Sequence, residues 1–204
     1  MSPLAAAVER AVDSIASTRA LDAVADRVRV AVDAVPEPVR DGIGGDWLGI
    51  PLHPILTDVT IGAWTGSFVA DLVGGHDARA FSRRLLLLGN LSAFPTMVTG
   101  LADWGSLDPA ARRVGLVHAA TNISATALYL RSYGARRRGH HAAGVAWGLV
   151  AATVATVGGH LGGVLAYHAP EGDGDDAPEP APEPTRAAEP TDASPFASES
   201  LRIG

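Results

Sequence analysis

The chain has 204 residues, 47% of them hydrophobic, with 16 basic and 22 acidic residues and no cysteine. The missing cysteine excludes disulfides, thiolate metal sites, cysteine nucleophiles and cysteine-held iron–sulfur clusters, so a metal or haem would need His, Asp, Glu, Asn or Met. Every basic residue is Arg, and no basic patch is interleaved with aromatics, which argues against nucleic acid as a partner.

Residues 1–49 read as an amphipathic helical region. Glu9, Arg10, Asp13 and Arg19 break up any apolar run, so this is not a signal peptide. Ser2 is placed to cap a first helix with Pro3 at its first position, and Leu4, Val8, Val12 and Ile15 share a face. Thr18 is placed to cap a second, whose stripe is Leu21, Val24, Ala25, Val28 and Val35, opposite Asp22, Asp26, Arg29 and Asp33. Such a pair packs on the protein or a partner, or lies on a membrane surface. The mixed sign of its polar face favours packing. Pro36 and Pro38 end the helical pair, and a Gly-rich approach carries Trp47, which suits the headgroup level.

Four apolar segments follow, at about 54–73, 85–102, 114–130 and 142–167. Crossing ~30 Å of hydrocarbon takes ~20 helical residues, so the expected fold over residues 50–168 is an all-α, four-helix bundle in a membrane. A soluble bundle would need a charged face on each helix, yet residues 142–167 carry no charge. Asp58 and Asp71 make the first span the weakest. Residues 169–204 are rich in Pro, Glu, Asp and Ala and read as a disordered tail.

Arg79, Arg83, Arg84, Arg131, Arg136, Arg137 and Arg138 flank the first and third loops, against Arg40, Arg112 and Arg113 on the other side. The positive-inside rule then puts those two loops in the cytoplasm and both termini outside, with Arg136–Arg138 as a topology anchor. His76, His140 and His141 fall in the same loops and read as solvated. Asp71 is expected to pair with an Arg of the first loop.

Ionisable groups inside a span cost at least ~2.5–3.5 kcal/mol each on the insertion scale, so each needs a reason. Alternate spans run in opposite directions, which puts His53, Asp58, Asp103, His118, Asn122, His160 and His168 in one leaflet. These residues fit three chemistries. His118 and His160, or His53 with either, could ligate a haem b or a metal, with Asp58, Asp103 or Asn122 orienting a ring through its second nitrogen. The cluster could instead relay protons or a small solute. Or the groups could satisfy one another as interhelical glue and do nothing further. The preferred ligands are His118 and His160, with His53 next. Gly62/Gly66, Gly158/Gly162 and Gly159/Gly163 let backbones approach closely, and Pro95 should kink the second span. No nucleophile–base pair or phosphate loop stands out.

Four stretches, LHPILTDVTIGAWTGSFVADLVGG (52–75), TGLADW (99–104), HAATN (118–122) and GGHLGGVLAYH (158–168), resemble in order a bacterial membrane family called domain of unknown function 2231. The resemblance implies a four-helix domain in a bacterial cytoplasmic membrane with a polar cluster near one surface. Some relatives carry a Rieske iron–sulfur domain, which implies a redox setting. This chain has no cysteine, so such an electron partner would be a separate protein. The family's name leaves the activity unassigned.

Overall fold

The computed structural model describes residues 2–168, the side chains of Leu4 and His168 excepted. The expected disordered tail lies outside the described residues. Seven α-helices follow one another: α1 Pro3–Ser17, α2 Asp22–Asp33, α3 Glu37–Gly44, α4 Leu52–Val73, α5 Arg79–Trp104, α6 Pro109–Arg137 and α7 His141–His168.

Local chemistry explains most boundaries. The Ser2 hydroxyl accepts from the Ala5 amide at 3.1 Å, and Pro3 opens α1. Asp108 does the same for α6, taking the amides of Ala110 and Ala111 at 2.7 and 2.9 Å ahead of Pro109. Two expectations fail here. Thr18 caps nothing; its hydroxyl donates back to the Ser14 carbonyl at 2.6 Å, and a 3-10 turn at Arg19–Leu21 intervenes before α2. α2 does end ahead of Pro36, at Asp33, but Pro36 and Pro38 then open an unexpected α3, because proline in the first turn has no amide that the helix needs. Gly45 ends α3 at φ 107°, where a side chain would also strike the Ile50 carbonyl.

α4 packs along α5 and α6 along α7, forming two hairpins that meet mainly through α5 and α6. The core is built from Trp64, Leu86, Ala93, Tyr129 and Ala151. α5 runs unbroken through Pro95. Of the four long helices, α5 and α7 are long and apolar enough to cross a membrane. Their most apolar stretches are only 28% and 17% buried inside the protein. The central helix of a soluble domain would be mostly covered, so this exposure points to lipid.

The N-terminal helices dock on α6. The Arg113 guanidinium takes both Asp22 carboxylate oxygens at 2.6 and 3.0 Å and donates to the Ala16 carbonyl at 2.6 Å, closing the end of α1. That hydrogen-bonded cation holds the Asp22 carboxyl below its usual range. Ala25 and Val32 of α2 cover Trp104, whose indole donates to the Arg112 carbonyl at 3.0 Å.

Candidate functional site

His53 sits in the first turn of α4. Its Nδ1 lies 2.9 Å from the Thr96 carbonyl of α5 and 3.3 Å from the Thr99 hydroxyl. The ring rests on Gly100, where a Cβ would come within 2.6 Å of it. His118, on α6, repeats this arrangement. Its Nδ1 lies 2.8 Å from the Gly158 carbonyl of α7, and a Cβ on Gly162 would approach the ring to 2.8 Å. Asn122 donates to the His118 carbonyl at 3.0 Å and seats its amide against Gly158.

A carbonyl oxygen can only accept. Each Nδ1 therefore carries a proton and donates, and the Asn122 amide nitrogen lies 3.2 and 3.3 Å from the Nδ1 and Nε2 of His118. The two rings meet edge-on, in a T, with centroids 6.5 Å apart and planes at 74°. The structure thus brings His53 and His118 together. It does not bring His160 to them. α7 turns Gly158 and Gly162 toward His118 and leaves His160 exposed. Asp58 is exposed on α4, and Asp103 is exposed beside Asp46 in an open depression with Gly44. Of the expected orienting residues, Asn122 reaches a ring: its amide nitrogen lies 3.2 and 3.3 Å from the two ring nitrogens of His118. The side chain of His168 lies outside the described residues. Among the described residues, no three His, Asp or Glu side chains group as a metal site.

Two further layers lie deeper in the bundle. Trp64 and Tyr129 stack at 4.0 Å, and the Trp64 indole donates to Asn90 at 3.2 Å. Beyond them Arg136 reaches Asp71 and the Ser82 hydroxyl, both at 2.6 Å, with Ser82 donating to the Ser67 carbonyl at 3.0 Å. The Arg136 and Asp71 side chains are each 5% exposed. A cavity of about 100 Å³ lies between these layers, bounded by Trp64, Ser67, Leu86, Tyr129, Arg136 and Gly148. This corrects three expectations. Arg136 is an interior cation, not a surface anchor. Asp71 pairs with it, not with an Arg of the first loop. His141 is only 21% exposed and lies 3.5 Å from Asp71. Desolvation forces the arrangement, because a lone carboxylate at that depth must find a cation. Depth could have revealed it, since Asp71 and Arg136 both sit in the last turn of helices that run the same way.

No curated protein and no solved structure matches the chain. Residues 49–172, more than half of the 204, match the family model described as predicted membrane protein (DUF2231), and the chain belongs to that family.

Proposed function

We propose that this membrane protein crosses the bilayer four times and serves as a redox-associated subunit holding a haem b iron between His53 and His118. If α5 and α7 cross in the same direction, α6 must return between them. α4 lies against α5 from His53–Gly100 to Ser67–Ser82, and its 22 residues reach about 33 Å at ~1.5 Å each. With Arg136 inside the bundle, Arg79, Arg83, Arg84, Arg131, Arg137 and Arg138 still outnumber Arg40, Arg112 and Arg113, which favours cytoplasmic first and third loops.

One observation carries the haem reading: both imidazoles hold Nδ1 on a backbone carbonyl of the neighbouring helix, which fixes each ring, while the Asn122 amide, 3.3 Å from the His118 Nε2, would have to give way to an iron. With centroids 6.5 Å apart, the two rings are near enough for both to hold one iron. Two side chains alone leave a bare ion short of ligands, whereas a porphyrin brings the rest. When bound, the haem would supply one-electron chemistry. His53 and His118 would bind it, and Thr96 and Gly158 would orient them.

The helix-packing alternative is favoured by Gly100 and Gly162, which seat the rings closely. Spectra of the detergent-purified protein, with and without dithionite, decide between them. Haem predicts a Soret band that His53→Ala or His118→Ala abolishes and His160→Ala spares. Stoichiometric metal without that band replaces haem by an ion. Neither signal, after expression with haem and metals supplied, leaves packing.

A further inference from the structure

The His53–His118 contact is the first of a series. Trp64 stacks on Tyr129, and Asp71 pairs with Arg136. Each contact joins α4 to α6, and each partner lies 65 residues on (53 to 118, 64 to 129, 71 to 136). The same step takes Ser67 to Ser132 and Ala70 to Ala135, all of them buried. The second helices match with a step of 62. Thr96 and Gly158 accept from the two imidazoles, and Gly100 and Gly162 lie beneath them (96 to 158, 100 to 162). Ser82 and Gly144 answer to Ser67 and Ser132 (82 to 144), through a 3.0 Å hydroxyl contact and a 2.6 Å bond to the Gly144 carbonyl.

When a residue repeatedly touches its own counterpart, the two units are related by a two-fold axis passing through those contacts. α4 and α6 run the same way, so the axis lies along the bundle. We infer that α4–α5 and α6–α7 are two diverged copies of one helical hairpin, and that His53 and His118 form a symmetric receptor on the axis for a ligand with two equivalent faces. The ligand half rests on the haem reading. The two-fold half stands without it.

The charged layer tests the symmetry, because there the copies differ most. Arg136 packs on Gly144 of its own hairpin, which lacks a Cβ in its way, and bonds Ser82 of the other. Symmetry states what an arginine at position 71 would need: glycine at 82 and serine at 144. Exchanging only the charges, Asp71→Arg with Arg136→Asp, should lower the melting temperature of the full chain in detergent. Adding Ser82→Gly and Gly144→Ser should bring it back toward wild type. Without a two-fold relation those are two further lesions, so a quadruple variant melting no higher than the double overturns the duplication.

Matched substitutions give a second readout if the charged variants do not fold. Gly100→Ala and Gly162→Ala should shift the melting temperature alike, within about 3 °C. His53→Ala and His118→Ala should lower the Soret absorbance by the same fraction. Clearly unequal glycine shifts count against the two-fold axis. A blank wild-type spectrum overturns the ligand half and the haem reading together, and leaves the exchange result to decide the duplication.

Discussion

The two ends of the bundle interior solve the same problem differently. At one end Asp71 and Arg136 cancel each other's charge, and Ser82 takes a guanidinium hydrogen. At the other end two imidazoles donate Nδ1–H to backbone carbonyls, and the Asn122 amide lies against the His118 ring nitrogens at 3.2 and 3.3 Å. At the first end charge neutralisation carries the pairing, since the Asp71 oxygens and the Arg136 Nε make no hydrogen bond of their own among the described residues. At the second end hydrogen bonds to backbone carbonyls hold the rings. The buried charges belong to stability, and the less conspicuous imidazoles, as metal-ligand side chains, are the candidates for chemistry.

Breaking the ion pair should have the largest effect. Arg136→Ala leaves Asp71 buried without a cation and should cost about 3–5 kcal/mol, read as lost folded protein in detergent. Asp71→Ala with Arg136→Ala should cost less than either alone, and a double variant as unstable as the worse single would refute the assignment. Filling the seats beneath the rings comes next. Gly100→Ala or Gly162→Ala forces an imidazole aside and should cost about 1–3 kcal/mol in thermal unfolding. His53→Gln or His118→Gln, which keep bulk but lose one hydrogen bond, should cost only about 0.5–1.5 kcal/mol. A loss as large as that of Arg136→Ala would erase the contrast between the ends.

The smallest effect lies outside the bundle. Asp22 has its folded pKa depressed below the ordinary carboxylate value, so its contribution is complete above that ordinary value and disappears as pH falls through the folded one. Hydrogen exchange in α2 should therefore rise only at strongly acid pH, and Asp22→Asn should raise it at pH 7. An unchanged α2 in that variant would show that Ala25 and Val32 suffice to hold it.

The sequence reveals depth better than direction. Helical rise is fixed at ~1.5 Å per residue, so counting from the ends of the apolar segments put His53 and His118 at one level. Which way a residue faces depends on which side of the helix is packed. α7 carries no charged face to mark its outside, and His160 was accordingly placed inward when it points out. The long charge-free stretches made α5 and α7 readable as membrane helices. α3 was missed because its prolines look like terminators until their position within the first turn is known. The repeat is faint in the sequence because its identities are scattered, as at His53/His118, Ser67/Ser132, Leu87/Leu149 and Gly100/Gly162, and need two different steps, 65 and 62, to align.

Arg113 has one more consequence. It grips both N-terminal helices, through Ala16 and Asp22, and stands five residues from His118 on the continuous rod of α6. That is about 7.5 Å of helix, a turn and a half. The amphipathic pair is thus a handle on one of the two imidazoles. A force or partner that lifts α1 and α2 also levers the ring, so a His118 signal that follows the titration of Asp22 would be the mark of that linkage.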